Sequence, residues 1–185
     1  MGSNGLESAL ECVTRGWPVV PGALWVDGTY IDPVTGSECE GLALASPAMA
    51  TLDAGTVRDM WPVAEGGVTR STLAVLGPTM TAVAIAPERA RQVIGSEAFR
   101  AAPTPVVALP VPMLGTMIES AVFVLSSADG LNDKLVFPSN ATLPLPPAVV
   151  EGSEVRWLVP PADCERLMSG PELARLLALE MTDQR

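Results

Sequence analysis

The stretch STLAVLGPTMTAVAIAPE, residues 71–88, carries the pattern that decides the fold class. Two apolar runs, residues 71–76 and 79–86, flank the turn signal Gly77-Pro78, and each has the length of a strand. Because both runs are apolar on both faces, they are predicted to be central strands. Pro87-Glu88 then favours a helix start, since proline is accepted in the first helical turn and a carboxylate suits the positive end of the helix dipole.

Further helices and strands are indicated on both sides of this stretch. Hydrophobic periodicity and capping residues predict helices at residues 6–15, 51–61, 87–99 and 170–181, and strands at 17–22, 106–109, 120–126, 135–137, 141–145 and 155–159. Three turn signals within residues 27–41 predict a hairpin or an irregular surface excursion. Since helices and strands are mixed rather than strictly alternating, the sequence predicts an α+β (mixed α/β) fold: one domain over residues 1–185, with a central mixed sheet flanked by helices.

Composition excludes several classes of function. Of 185 residues, 48% are hydrophobic and 17% are charged, which suits a protein with one substantial core rather than a disordered chain. The net charge of −10 argues against a broad basic face for nucleic acid. The chain has no histidine, so catalytic triads and metal sites that need histidine are excluded.

The predicted lack of a secretory signal and the pattern of cysteines favour the cytoplasm. Glu7 and Glu11 stand where a secretory signal needs a basic start and an apolar core, so no such signal is predicted. The longest uncharged run, residues 101–118, contains four prolines and is not expected to span a membrane. The three cysteines are odd in number and widely spaced, which indicates neither a disulfide framework nor a zinc site. We expect no metal and no cofactor.

Four motifs in order carry a family resemblance. They are ALECVTRGWPVVPG at residues 9–22, TVRDMWP at 56–62, AVAIAPE at 82–88 and LPLPPAVVEGSEVRWLVPP at 143–161. Together they resemble the actinobacterial branch of the bifunctional DNA primase/polymerase N-terminal domain, a relative of the archaeo-eukaryotic primases. The resemblance runs over residues 9–179, and it implies an α/β core that binds nucleotide and two divalent metal ions on carboxylates at a strand end, with a histidine nearby.

The chain departs from that family at the residues on which the chemistry depends. Where the family has an Asp-x-Asp pair ending its central strand, this chain has Ile85 and Pro87, and Glu88 is the nearest carboxylate. The histidine of the family would fall near Ser120. By the resemblance, the third acidic position corresponds to Asp133, although a turn residue capping its own backbone is the favoured interpretation of Asp133. One carboxylate cannot hold a metal pair, so we expect a degenerate site.

Basic and aromatic side chains give further candidates for binding. Arg89, Arg91 and Arg100 could form a phosphate-binding patch, but interleaved glutamates favour an ordinary solvated helix face. Arg156 is expected to point outward if Trp157 points inward, which makes it a candidate surface contact. The chain's tryptophans are expected to pack in the core, with the one in the turn-rich segment before residue 27 the most exposed.

The proline-rich apolar run is the candidate partner surface. Residues 101–118 hold almost nothing polar, and exposed apolar stretches mark interaction sites. The predicted surface consists of Val107, Leu109, Val111 and Met113. It loses its basis if all four are covered within the monomer.

Three functional hypotheses follow. The favoured one is a catalytically inactive primase-polymerase-like domain that acts as a binding or scaffolding module. It would act through contacts with another protein or with a second copy of itself. The second is a residual nucleotide-binding protein or primase/polymerase using Asp133 and Glu88. The third is a DNA-replication accessory factor that binds DNA through the arginine-bearing helix, which is disfavoured by the net charge.

Overall fold

The computed structural model describes residues 4–113, 116–131 and 135–182. They form a mixed α+β fold of helices and several antiparallel sheets, which confirms the predicted fold class. The described helices are α1 (Gly5–Thr14), α2 (Ala54–Met60), α3 (Pro87–Gly95), α4 (Glu97–Ala101) and α5 (Gly170–Thr182). The strands are β1 (Val19–Gly22), β2 (Leu24–Val26), β3 (Thr29–Ile31), β4 (Glu38–Cys39), β5 (Ser71–Val75), β6 (Thr81–Ile85), β7 (Val106–Met113), β8 (Thr116–Leu125), β9 (Thr142–Leu145), β10 (Val149–Val150), β11 (Ser153–Glu154) and β12 (Arg156–Val159).

The described residues group into two compact units. One lies within residues 1–76 and 140–156, and the other within residues 77–139 and 157–185. That the whole chain forms a single primase-polymerase-like domain stays a prediction. No helix among the described residues is long and apolar enough to cross a bilayer.

The first unit is built on a three-stranded antiparallel sheet in the order β1-β5-β9. Helix α1 packs against its central strand, β5. The helix starts where Asn4 accepts the backbone N–H of Glu7 at 2.9 Å, while the Glu7 carboxylate accepts that of Asn4 at 3.2 Å. Such reciprocal capping satisfies two donors that the first turn leaves without helical partners. The helix ends before Gly16, whose φ of 75° favours glycine.

Residues 27–41 contribute to a second, smaller sheet in the first unit. Strands β2, β3 and β4 pair in antiparallel fashion, and the Trp25 and Tyr30 rings meet edge to face with centroids 4.8 Å apart. The Tyr30 hydroxyl accepts the backbone N–H of Glu151 at 3.2 Å, which joins this sheet to the β10–β11 hairpin. The predicted hairpin is therefore part of a three-stranded sheet.

The second unit contains a four-stranded sheet in the order β12-β7-β8-β6. Alternate side chains of β6, β7 and β8, such as Ile85, Val106 and Phe123, face the helices α3, α4 and α5. With Val93, Phe99 and Leu173 of the helices, they form one apolar cluster. Phe99 and Phe123 pack edge to face at 6.0 Å in its middle.

The two strands predicted within residues 71–88 are present, but they do not pair with each other. Its two apolar runs form β5 and β6, but they belong to different sheets instead of pairing around Gly77-Pro78. Strand β5 is central, as predicted, whereas β6 is an edge strand of the four-stranded sheet. Val136, from the strand predicted at 135–137, makes only an isolated bridge to Val83 of β6. This bridge and the burial of Val83 explain why an edge strand has a central strand's composition.

Two other boundaries differ for local reasons. The helix predicted at 87–99 breaks at Ser96, whose hydroxyl accepts the N–H of Phe99 at 3.2 Å and so caps a new helix, α4. Strand β7 continues through Pro110 and Pro112, past its predicted end at residue 109. Prolines two residues apart lie on the same side of a strand, where the missing N–H groups interrupt no ladder with β8.

Candidate functional site

The strand end that the resemblance assigns to catalysis is part of the apolar core. Ile85, which stands in place of the family's first aspartate, is 5% exposed and belongs to the buried cluster with Val93 and Phe123. Glu88 lies exposed in the first turn of α3. Asp133 lies outside the described residues, so its predicted role stays a prediction. Within the described ranges, no group of three or more acidic or cysteine residues lies close enough to hold a metal ion.

The three arginines of the predicted phosphate-binding patch, Arg89, Arg91 and Arg100, do not share one face. Arg89 donates from Nη2 to the carbonyl oxygen of Leu177 at 3.0 Å, which ties α3 to α5. Arg91 is exposed and stands two positions further along α3, and residues so spaced point to different sides of a helix. Arg100 lies on α4. Arg156 is exposed as expected, beside a half-buried Trp157.

A cavity of about 280 Å³ lies in the second unit, between the end of α4 and the segment that precedes α5. We call it the α4 pocket. Its lining comprises Arg100, Ala101, Ala102, Pro103, Asp163, Glu165, Arg166 and Met168. Sequence reasoning did not find it, because its two sides are about sixty residues apart and no motif joins them. The sequence near the pocket carries only local patterns, namely the Pro160-Pro161 pair, which is typical of a turn, and Ser169 directly before α5, which suits a helix start.

Met168, which lines the α4 pocket, is held in place by a buried hydrogen-bond network. Thr104, which is fully buried, donates from Oγ1 to the carbonyl oxygen of Val124 on β8. The same Oγ1 accepts the backbone N–H of Met168 at 3.2 Å. The backbone N–H of Ser126 is bonded to the Met168 carbonyl oxygen at 2.9 Å. Met168, 4% exposed, is thereby held against the sheet.

Of the charged side chains around the α4 pocket, Arg166 is paired with a carboxylate, whereas two acidic side chains have no partner among the described residues. Arg166 donates from Nη1 and Nη2 to the two carboxylate oxygens of Glu172, which also accepts the backbone N–H of Ser169 at 2.8 Å. These contacts, with Arg166 the main cause, hold the pKa of the Glu172 carboxyl far below its ordinary range. Arg100 donates from Nε to the carbonyl oxygen of Ser96 at 3.3 Å. Asp163 and Glu165 are exposed, and neither carboxylate has a hydrogen bond or ion pair within the part of the chain that the structure describes.

The predicted partner surface is reduced to the end of the β7–β8 hairpin. Val107 and Leu109 are 0% and 7% exposed, so they are core residues and offer no surface. Val111 is half-buried, and the side chain of Met113 lies outside the described residues. Opposite them on β8, Ile118 pairs with Val111 and is 37% exposed. Because β6 pairs only with the last five residues of β8, the hairpin extends beyond it.

We define the apolar hairpin end as Val111, Pro112, Met117 and Ile118. Pro112 and Ile118 are exposed, and Val111 and Met117 are half-buried. Proline has no N–H, so neither Pro110 nor Pro112 of β7 can donate a backbone hydrogen bond to a further strand. What remains accessible here is apolar side-chain surface.

The aromatic and cysteine candidates are largely structural. Trp17 and Trp61 are buried, and Trp61 donates from Nε1 to the carbonyl oxygen of Ser71 at 3.0 Å. Trp25, predicted to be the most exposed, is half-buried against Tyr30. Burial raises the pKa of the Cys12 thiol to about 12, which makes this thiol a poor nucleophile.

Comparison of the chain with protein-family models, curated proteins and solved structures gave no match. The resemblance to the primase/polymerase family therefore stays a prediction.

Proposed function

We propose that this protein is a catalytically inactive, primase-polymerase-like binding module that acts in the cytoplasm through contacts with another protein or a second copy of itself. The observation that carries the proposal is the burial of Ile85 within the apolar cluster of the second unit. A metal pair needs carboxylates at that strand end, and a buried isoleucine supplies packing instead. Exposed apolar side chains at the hairpin end support a role in binding.

Nucleotide binding is the activity that would contradict this proposal, and thermal unfolding measures it. We expect no metal-dependent rise in Tm when ribo- or deoxyribonucleoside triphosphates are added with Mg²⁺ or Mn²⁺. A ligand at about 100 times its Kd would add about 2.7 kcal/mol of stability. Each metal without nucleotide, and each nucleotide without metal, serve as controls. A metal-dependent stabilisation that is lost in Asp133→Ala would favour the second hypothesis, a residual nucleotide-binding enzyme.

Sedimentation velocity tests whether the apolar hairpin end binds a second copy of the chain. With a net charge of −10, copies repel one another, so we expect association to be strongest at about 1 M NaCl, where the Debye length is about 3 Å. The sedimentation coefficient of the wild type should then rise with concentration, and Ile118→Gln should remove most of that rise. Leu52→Gln, at an apolar side chain that is 52% exposed in the first unit, is the matched control. A wild type that stays monomeric would restrict the proposal to a different protein as the partner.

A further inference from the structure

The α4 pocket has a chemical character that specifies its occupant. We infer that it receives a lysine or arginine side chain of a partner protein. This inference rests on the proposed function, because it names the chemistry of the partner that the module would bind. It assigns the cavity formed by residues 100–103 and 163–168 to recognition.

Charge is the first argument for a basic occupant. The positive charge of Arg166 is matched by the Glu172 carboxylate, whereas Arg100 donates from Nε to the carbonyl oxygen of Ser96, the N-cap residue of α4. By contrast, the carboxylates of Asp163 and Glu165 have no partner among the described residues. Two carboxylates therefore stand against the single guanidinium of Arg100, so the charge left for a ligand to neutralise is negative, in agreement with the net charge of −10.

Size and lining are the second argument. Small-molecule sites occupy roughly 300–1,000 Å³, so a cavity of about 280 Å³ is at the lower limit and suits a single side chain better than a nucleotide. Ala101, Ala102, Pro103 and Met168 supply apolar surface beside the carboxylates. Lysine and arginine bury their methylene stems on such surface while the charged head reaches a polar rim.

Rigidity is the third argument. Asp163 ends the 3₁₀ turn Pro161–Asp163, where its backbone N–H is bonded to the Pro160 carbonyl oxygen at 3.1 Å. Met168 is fixed by Thr104, and Arg166 by Glu172. A pocket whose walls are already held in place loses less conformational entropy when a side chain enters it.

The test uses the full chain and three small probes followed by amide NMR. Nα-acetyl-arginine methylamide carries the proposed side chain. The citrulline analogue has the same shape without the charge, and Nα-acetyl-glutamate methylamide would report an anion at Arg100. We expect the arginine probe to move the amide signals of Ala101, Ala102, Glu165 and Met168 saturably, and the citrulline analogue to bind at least fivefold more weakly.

A pair of double variants separates the pocket from the general negative charge of the protein. Asp163→Asn with Glu165→Gln should weaken binding of the arginine probe at least fivefold. Glu40→Gln with Glu65→Gln removes the same charge from exposed positions in the other unit and should leave the affinity within twofold of the wild type.

Three outcomes would overturn the inference: no saturable shift with the arginine probe, equal affinities in the two double variants, or saturable binding of the glutamate probe at this site. None of them bears on nucleotide binding, so the proposed function would stand. A metal-dependent nucleotide shift would instead remove the proposed function while leaving the pocket result unchanged.

Discussion

Replacing Gly5 by alanine is expected to lower the free energy of unfolding by about 3 kcal/mol, the cost of overpacking a site that cannot relax. A Cβ at Gly5 would overlap the backbone carbonyl oxygen of Arg70 and lie 3.2 Å from Oγ1 of Thr69. The start of α1 cannot move aside easily, since the Gly5 carbonyl oxygen accepts the Thr72 hydroxyl at 2.6 Å. Urea unfolding followed by tryptophan fluorescence measures the loss, because Trp17 and two further tryptophans lie in the same unit.

Gly95→Ala is the matched control. Gly95 is the last residue of α3, and a Cβ there would meet no atom within 4 Å. This substitution should change stability by less than about 1 kcal/mol, in the stabilising direction, because alanine favours helix more than glycine does. In the second unit, Gly170→Ala should behave like Gly5→Ala, since its Cβ would overlap the backbone of Asp129. Equal stabilities for Gly5→Ala and Gly95→Ala would show that α1 is not fixed on β5 as described.

Local signals were enough to predict most of the secondary structure. Asn4 and Asp53 both cap helices, because each places a side-chain oxygen directly before a segment with helical hydrophobic periodicity. The helix predicted at 6–15 and the strand predicted at 141–145 correspond to α1 and β9, and a few neighbouring residues determine each of them. The α+β class follows from the order of such elements alone.

Features that depend on residues far apart in the chain were not predictable. Gly77-Pro78 has the sequence of a hairpin turn, yet it links two different sheets, and only the partners of β5 and β6 decide this. Proline is rare inside strands, so Pro110 and Pro112 argue against a strand when only local sequence is considered. In the observed register with β8, their missing N–H groups interrupt no hydrogen bond between the two strands. The α4 pocket likewise needs two segments that only the folded chain brings together.

The candidate sites illustrate the same limit. Arg89 was predictable as an exposed helix residue but not as a donor to the Leu177 carbonyl oxygen, since α5 is some ninety residues away. Val107 and Val111 have the same side chain and lie on one face of β7, yet the first is fully buried and the second is half-buried. Which part of an apolar run is exposed depends on where its neighbours end, and sequence alone does not give that.

Acid unfolding should depend strongly on Asp32, which lies in the turn-rich segment 27–41 and whose ion pair no local pattern predicted. Arg70 donates from Nε to Oδ1 of Asp32 at 2.9 Å and from Nη2 to Oδ2 at 2.7 Å. The Asp32 side chain is 10% exposed and the Arg70 side chain is 18% exposed, so this ion pair is largely buried. The hydrogen bonds from Arg70 are the main cause that lowers the pKa of Asp32, and they outweigh the desolvation that raises it.

The direction of the pH dependence follows from that shift. Because the folded-state pKa lies below the unfolded value of about 3.9, the Asp32 carboxylate stabilises the fold above about pH 4. This contribution is lost as the pH falls through the folded-state pKa. Asp32→Asn should lower the free energy of unfolding at neutral pH by about 3 kcal/mol, since it leaves the guanidinium of Arg70 without its counter-ion. Its free energy of unfolding should also fall less steeply than that of the wild type below about pH 4.

Urea unfolding at a series of pH values from neutral to strongly acidic measures both effects. Glu11→Gln is the matched control, since Glu11 forms an exposed pair with Arg15 one turn away on α1, and such pairs contribute about 0.5 kcal/mol or less. Arg70→Met should reproduce the loss seen in Asp32→Asn, and the double variant should lose less than the sum of the two single variants, because each removes the same interaction. Parallel pH profiles for the wild type and Asp32→Asn would show that the ion pair makes no net contribution, and additive losses would show that its two members act separately.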